Sequence, residues 1–296
     1  MNRIRPFAYL EAETVSEAVG LLAREGNGAF ALAGGTDLLT RMKLGTLMPR
    51  VLVNLKRIPG LNGISREPGK SLRIGSLVSI SGIDRSPLIR ASHRVLAEAA
   101  GGMGSPSIRN LGTLGGNIGR ASPASDMAPS LIVLRARVLV EGSRGKREVE
   151  IDGFCTAPGM TVLDPGELIT GFLVPDMPAR SGAAYMRMGR REGTDCSLAG
   201  VAVFLTLSES DGGLKDAGVA MAAVAVAPKR ATKAEEVLLS GSVTDERMKK
   251  AARAAAEESC PISDLRASDT YRRALVEVLT YRGLAKALRL AKGAPS

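Results

Sequence analysis

Apolar residues recur along this chain at two spacings, and the change from one to the other predicts a mixture of helices and strands. Residues 14–17 have the S/T-x-x-E form of a capping box and predict the start of a helix. A short apolar strand is predicted over residues 29–33, a second helix over 38–45 and a second strand over 51–53. The first 58 residues therefore read as a small α/β unit with a glycine turn between strand and helix.

The predicted segments become shorter after residue 58. Strands are predicted near Ile64 and over 72–74, 137–141, 148–151 and 168–174, and helices over 87–91, 94–100 and 128–134. Residues 101–130 are rich in glycine and proline and are predicted to be mostly loop. Long loops inside a compact domain are usually functional, which makes this stretch a candidate binding region.

A run of strands followed by a run of helices forms the last third of the chain. Residues 175–182 (Pro-Asp-Met-Pro-Ala-Arg-Ser-Gly) are the best candidate linker. Strands are predicted over 183–187, 198–207 and 217–227, and helices over 232–239, 245–258 and 269–292. This order favours an α+β layer in which helices pack on a sheet.

Composition narrows the possible classes of protein. The chain has 296 residues, 45% of them hydrophobic and 24% charged, which is typical of a globular protein of about two domains. Its longest apolar run, residues 217–227, is too short for a membrane span, and the N-terminus has no apolar signal region, so a cytoplasmic location is predicted. The net charge of +10 comes from scattered Lys and Arg, with few aromatic residues, and this argues against nucleic-acid binding.

The chain lacks the residues of several common sites. Cys155, Cys196 and Cys260 are widely spaced, and no C-x-x-C pair is present for zinc or an iron–sulfur cluster. There is no G-x-G-x-x-G after a strand, no P-loop and no G-x-S-x-G. The single histidine, His93, lies in a polar Ser-His-Arg run and is predicted to be a surface residue. We predict no metal ligands and no catalytic acid, base or nucleophile.

Two glycine segments far apart in the sequence carry the candidate chemistry. Residues 33–37 read Ala-Gly-Gly-Thr-Asp, and residues 113–117 read Thr-Leu-Gly-Gly-Asn. Paired glycines let a ligand approach the backbone closely, and several N–H groups pointing into one hollow bind anions. We therefore expect both loops, with exposed N–H groups, to close on one diphosphate. A plain strand-to-helix turn accounts for the first loop alone, and a satisfied glycine-rich connection accounts for the second, but this interpretation explains two such loops less well than one.

Taken together, the loops and their flanks resemble the FAD-binding subunits of the molybdenum hydroxylases, the group of xanthine dehydrogenase and carbon monoxide dehydrogenase. The resemblance covers nearly the whole chain. The matching segments are residues 33–39, 108–117, 121–126, 190–192 with Asp195, and 264–273.

The resemblance implies an α+β fold with a two-lobed FAD-binding domain of the vanillyl-alcohol-oxidase (PCMH) type and a smaller α+β C-terminal domain. The FAD-binding domain would span residues 1–177, with lobes of about 1–58 and 59–177, and the second domain would span 178–296. FAD would lie extended between the lobes. The residues carried over to the cofactor are Ala33, Gly34, Gly35, Thr36, Asp37, Thr113, Gly115, Gly116, Asn117, Asp126, Ile169 and Arg187.

Within that set the roles differ. The two glycine loops would hold the diphosphate and the nearby ribityl and ribose atoms, and Asp126 would bind a cofactor hydroxyl or amine. Ile169 would be an apolar contact, and Arg187 a basic group near the cofactor. Where relatives can place an aromatic residue before the second loop, this chain has Met103, which can still pack on a ring.

The function implied by the resemblance is electron transfer. Electrons would come from a molybdenum centre on a large molybdopterin-binding subunit through two [2Fe-2S] clusters on a small subunit. They would reach FAD here and leave to NAD+, oxygen, a quinone or a ferredoxin, in a dimer of heterotrimers. Two alternatives stay open: a stand-alone flavin oxidoreductase of the same fold (MurB-like or an oxidase), and a non-catalytic anion-binding module.

Overall fold

The computed structural model describes residues 4–67, 71–191, 193–209 and 213–293. In these ranges the strands form sheets of three, five, four and two strands, and helices pack against the first three. The predicted α+β class is confirmed. Glu192, part of one matching segment, lies outside the described residues.

The first lobe is built on a parallel sheet of β1 (Ala8–Glu11), β3 (Val51–Asn54) and β2 (Ala29–Leu32), in that order. Helix α1 (Val15–Glu25) begins where the capping box predicts, because the Thr14 hydroxyl accepts a hydrogen bond from the Glu17 N–H at 3.1 Å. Helix α2 (Leu38–Lys43) follows β2 after a five-residue turn. The predicted strand–turn–helix arrangement is therefore correct, and β1 is an additional strand that the pattern did not reveal.

The second lobe is built on an antiparallel sheet that draws strands from distant parts of the chain. Its order is β4 (Ile64–Glu67), β5 (Ser71–Gly75), β10 (Leu168–Pro175), β6 (Arg137–Gly142) and β7 (Gly145–Glu150). A small hairpin of β8 (Cys155–Ala157) and β9 (Met160–Thr161) precedes β10.

Six helices lie within residues 80–133. They are α3 (Ile80–Arg85), α4 (Pro87–Ser92), α5 (Arg94–Gly102), α6 (Pro106–Leu111), α7 (Leu114–Gly119) and α8 (Met127–Val133). All of them except α6 contribute residues to the same buried core as this sheet. The stretch predicted to be mostly loop therefore contains α6, α7 and the start of α8. Helix α6 begins at a serine cap, because the Ser105 hydroxyl accepts a backbone N–H and a proline is the first helical residue. Helix α7 begins in the same way, with the Thr113 hydroxyl as its cap.

The C-terminal domain is a four-stranded antiparallel sheet with three helices. The strands are β11 (Ser181–Met188), β12 (Ala199–Leu207), β13 (Leu214–Ala222) and β14 (Lys229–Arg230), and the helices are α9 (Thr232–Leu239), α10 (Asp245–Glu258) and α11 (Asp269–Ala291). The helix predictions agree with the structure. The third predicted strand is too long, because the chain turns at Ala223, which has a φ of +67°.

The β11–β14 sheet is covered on both faces. One face packs on α9–α11 in a core that includes Val203, Leu205 and Leu279. On the other face, Tyr185 and Phe204 belong to the same buried cluster as residues of α5, α8 and the five-stranded sheet. The two domains therefore share a core.

The last matching segment, residues 264–273, serves as a structural clamp in this fold. Asp264 accepts hydrogen bonds from the N–H groups of Arg266 and Ala267 and from the Arg272 guanidinium at 2.9 Å. These partners lower the pKa of Asp264 to about 2. Buried Arg272 also donates to the Leu198 carbonyl at 2.8 Å, which fixes the start of α11 to the sheet.

The surface position predicted for His93 is wrong. The side chain is fully buried at the junction of α4 and α5, and its Nε2 donates to the Pro175 carbonyl at 2.9 Å. Burial lowers the pKa of His93. The polar neighbours in the sequence misled the prediction, because the Ser92 hydroxyl bonds to the imidazole Nδ1 at 2.8 Å instead of marking a solvated surface.

Candidate cofactor site

The first glycine loop, residues 33–37, connects β2 to α2. Gly35 has a φ of +74°, a conformation that glycine adopts at little cost. Among the described residues, none of the backbone N–H groups of residues 34–37 donates a hydrogen bond to the protein. Backbone N–H groups in folded proteins are normally hydrogen-bonded. The unpaired N–H groups of this loop are therefore available to an acceptor on a ligand.

The second glycine loop differs from the prediction. Its N–H groups were expected to be exposed, but those of residues 114–117 all donate within the protein: Leu114 to Val78 O, Gly115 to Ser76 O, Gly116 to Thr113 Oγ1 and Asn117 to Thr113 O, at 2.8–3.0 Å. The expectation is wrong for a physical reason. Thr113 caps α7, so the loop forms the first turn of a helix.

The two loops nevertheless lie side by side. A methyl group in place of the Gly34 hydrogen would lie 2.0 Å from the Leu111 carbonyl oxygen, so the two backbones touch at this point. Across the same junction, Asp37 Oδ2 of the first loop lies 2.7 Å from Arg120 Nε, at the end of α7. Residues separated by about 80 positions in the sequence thus form one surface.

A buried polar cluster joins this surface to the C-terminal domain. Asp126 Oδ1 accepts hydrogen bonds from the Tyr185 hydroxyl at 2.7 Å and the Ser197 hydroxyl at 2.5 Å. Arg187 Nε donates to Ser197 Oγ at 2.9 Å and lies 3.5 Å from Asp126 Oδ1. Asp126 Oδ2 has no hydrogen-bond partner in the described part of the chain. One carboxylate oxygen is therefore fixed and the other is free.

Burial and charge act in opposite directions on this cluster. Burial raises the pKa of Asp126, while Arg187 and the Ser197 and Tyr185 hydroxyls favour its ionised form. Burial and the neighbouring Asp126 raise the pKa of Tyr185 well above its ordinary value, so its hydroxyl stays protonated as a donor. Neither Tyr185 nor Ser197 was predicted as a site residue.

A second set of contacts ties Asn117 to the same region. Its Oδ1 accepts from the Ser125 hydroxyl at 2.6 Å, and its Nδ2 contacts Met103 Sδ at 3.5 Å. Arg187 Nη1 donates to the carbonyl of Gly102, next to Met103. Met103 therefore lies between α7 and the arginine of the other domain.

Ile169 is buried on β10 and packs under α7, where a methyl group on Gly119 would lie 3.4 Å from its Cδ1. The structure thus brings the two loops, Ile169 and Asn117 together, and places Asp126 and Arg187 at the domain junction beside Met103. That these residues contact a cofactor stays a prediction. Two surface hollows, one beside α2 and one beside the end of α11, contain none of them.

Other features of the described residues bear on which class of protein this is. No group of three His, Cys, Asp or Glu side chains among them is arranged to hold a metal ion. Cys155, Cys196 and Cys260 are unpaired, and burial raises the pKa of Cys155 to about 11. None of the described helices is long and apolar enough to cross a membrane.

Comparison with protein families gives two matches in succession. Residues 5–177 match the FAD binding domain in molybdopterin dehydrogenase, and residues 183–287 match the CO dehydrogenase flavoprotein C-terminal domain.

Individual relatives match over nearly their whole length. The carbon monoxide dehydrogenase medium chain of Hydrogenophaga pseudoflava is 35% identical over 94% of this chain and 96% of its own. A putative xanthine dehydrogenase FAD-binding subunit of Escherichia coli is 29% identical over 97% of each chain.

Solved structures agree with the sequence matches. A chain of the Hydrogenophaga pseudoflava carbon monoxide dehydrogenase superposes with a TM-score of 0.92 at 36% identity, covering 97% of this chain and 98% of that one. Quinoline 2-oxidoreductase from Pseudomonas putida 86 gives 0.89 at 27% identity, covering 99% of both chains. The cofactor implied by these matches is FAD, and the chain belongs to the family of FAD-binding subunits of the molybdenum hydroxylases.

Proposed function

We propose that this subunit binds FAD across its two glycine loops, receives electrons from the iron–sulfur clusters of a partner subunit and delivers them to an external acceptor. The observation that carries the proposal is the junction of the loops, where Gly34 touches Leu111 and the N–H groups of residues 34–37 are free. A row of free N–H groups is a favourable partner for a diphosphate.

The two loops would have different roles. The first would donate its N–H groups to phosphate oxygens, because they have no protein acceptor among the described residues. The second would contribute side chains and shape, because its N–H groups are already used. The residues present fit FAD in this respect.

The Asp126 cluster supports a second point of contact. Its free Oδ2 could accept a hydrogen bond from a cofactor hydroxyl or amine, while Oδ1 stays held by Tyr185 and Ser197. Arg187 would supply positive charge from the C-terminal domain. When bound, the flavin would supply the redox chemistry, since it can take electrons one at a time and give up two.

The names of the relatives support the assembly. One is the medium chain of a carbon monoxide dehydrogenase and another the medium subunit of nicotine 6-hydroxylase. We infer a large molybdopterin-binding subunit and a small subunit with two [2Fe-2S] clusters as partners, in a dimer of heterotrimers in the cytoplasm. NAD+, oxygen, a quinone or a ferredoxin would be the acceptor.

Purification of the chain alone and together with the two proposed partner subunits tests the proposal. The chain should carry the absorbance of oxidised flavin, and the flavin should be bleached by a substrate of the complex only when both partner subunits are present. A chain that stays colourless after supplementation with FAD would contradict cofactor binding. A yellow chain that turns over a substrate alone would instead support the stand-alone oxidoreductase.

A further inference from the structure

The ion pair between Asp37 and Arg120 crosses the junction of the two glycine loops. Arg120 Nε lies 2.7 Å from Asp37 Oδ2, and Arg41 Nη1, one helical turn after Asp37, lies 3.8 Å from the same oxygen. One carboxylate therefore has two arginines beside it. The net charge of this small cluster is positive, at the edge of the loop whose N–H groups are free.

The Arg120 guanidinium is not fully used by the protein. Its Nε is buried and makes no hydrogen bond of acceptable geometry among the described residues, even though Asp37 is close enough for a strong ion pair. Arg120 and Asp37 thus attract each other as charges, but the Nε–H of Arg120 is not aligned to donate a hydrogen bond to the carboxylate. The side chain as a whole is 34% exposed, and Nη1 lies beside Gly159. A guanidinium has five N–H donors in a fork that matches phosphate oxygens, so donors remain for a ligand.

The position of Asp37 makes the role of Arg120 more specific. A carboxylate beside a diphosphate repels it, and the repulsion is strong where water is partly excluded. Arg120 removes that repulsion and adds positive charge of its own. Asp37 in turn holds Arg120 against the first loop.

We propose that Arg120 is a ligand of the FAD diphosphate, held between the two loops by Asp37. The proposal rests on the proposed cofactor site and adds a side-chain ligand to it. In this arrangement Asp37 contributes to binding through its backbone N–H and through its hold on Arg120, and its carboxylate does not face the phosphates. The competing role for the same ion pair is a simple clasp between the lobes.

Flavin binding to the full chain, freed of cofactor, separates these two roles. Flavin fluorescence gives the dissociation constants of FAD and of riboflavin, which has the same ring and ribityl chain but no phosphate. Arg120→Gln should weaken FAD binding by at least about 10-fold, the effect of losing one hydrogen bond to a charged group. Riboflavin binding should change by no more than about twofold, within the range of a lost surface pair.

Asp37→Asn should change the affinity for FAD in the opposite direction. It keeps the backbone N–H and an amide oxygen that can still accept from Arg120, and it removes a negative charge beside the diphosphate, so FAD should bind about two- to fivefold more tightly. The double variant should fall between the two single variants. Arg120→Lys should recover part of the lost affinity. Arg253→Gln is the matched control, because Arg253 is an exposed arginine paired with Glu277 on the C-terminal helices.

The outcomes are distinct. Equal losses of FAD and riboflavin affinity in Arg120→Gln, or a loss in Asp37→Asn as large as that in Arg120→Gln, would show a clasp and overturn the proposal. Unchanged FAD affinity in Arg120→Gln would overturn it as well. If the unsubstituted chain binds neither flavin, the proposed function itself fails.

Discussion

Gly34 is the residue at which the two halves of the proposed cofactor site meet. Its backbone lies against the carbonyl of Leu111, at a distance that leaves no room for a side chain. Glycine here is required for contact between two backbones, and its N–H has no acceptor among the described residues.

Gly34→Ala should therefore separate the loops. We expect a loss of stability of about 1–3 kcal/mol, typical of overpacking, and a loss of FAD affinity, both measured on the purified chain by urea unfolding and flavin fluorescence. Gly20→Ala is the control. Gly20 lies within α1 with no atom in the way, so alanine should stabilise the chain by about 0.5–1 kcal/mol. Equal behaviour of the two variants would contradict the assigned contact.

His93 makes the stability of the protein depend on pH. Burial lowers its pKa below the ordinary value of 6.5, so the native state keeps the imidazole neutral while the unfolded chain takes up a proton. The unfolded state then binds more protons, and the free energy of unfolding should fall as pH drops below 6.5.

The variant His93→Gln tests this assignment. Its thermal midpoint should fall less steeply than that of the unsubstituted chain between about pH 7 and about pH 5, because one proton linked to unfolding is worth about 1.4 kcal/mol per pH unit. Glutamine can still donate to the Pro175 carbonyl. Parallel pH profiles for the two proteins would mean that another group carries the dependence.

Some residues of the candidate site could be predicted from the sequence and others could not. The glycine loops could be found because each joins two glycines to a hydroxyl and a small polar side chain, and because this combination occurs twice in one chain. The partners of Asp126 could not, since Tyr185 is 59 and Ser197 71 positions away, and nothing in a β-strand pattern distinguishes them from ordinary core and turn residues. His93 was misjudged because polar neighbours in sequence say little about burial where one helix ends and the next begins.

At the level of elements, the largest departure from prediction is the stretch of residues 101–130. Glycine and proline indicate turns in most contexts, but here proline begins α6 and glycines lie inside α7. The signals that locate these helices are the hydroxyl caps at Ser105 and Thr113. The site thus rests on short capped helices, where a long loop was expected.

Helix α7 should be sensitive to the loss of its cap. In Thr113→Val the Gly116 N–H loses its acceptor, which lies at 3.0 Å, and we expect a loss of about 1 kcal/mol in the free energy of unfolding. Thr113→Ser keeps the hydroxyl and should lose much less. Urea unfolding measures both, and a serine variant as unstable as the valine variant would show that the methyl group matters more than the cap.

At the scale of the whole molecule, the sheet of β11–β14 connects the two predicted domains. Its outer face packs against α9–α11, and its inner face packs against α5 and α8 in the core shared with the first domain. The domain boundary at residues 177/178 stays a prediction. A further link is Glu98 of α5, which accepts from the Tyr185 N–H at 3.2 Å and from Lys286 Nζ of α11 at 2.6 Å.

A shared core implies that the first domain does not persist alone. Residues 1–177 produced without the rest should aggregate or bind a dye for exposed apolar surface, because Tyr185 and Phe204 no longer cover their partners. Dye fluorescence and gel filtration on the truncated and full chains measure this. A monomeric truncated chain that unfolds as sharply as the full one would contradict a shared core.

The same sheet has a consequence for synthesis of the chain. Helix α8 ends at Val133, but the strand that covers it, β13, ends only at Ala222. At ribosomal speeds of about 5–20 residues per second, the apolar face of α8 that packs on β13 stays exposed for about 5–20 s before β13 has been synthesised. Nascent chains of this protein should therefore recruit a chaperone during that interval, and the proposed flavin site, which includes Arg187 of β11, is completed only after the C-terminal sheet has left the ribosome.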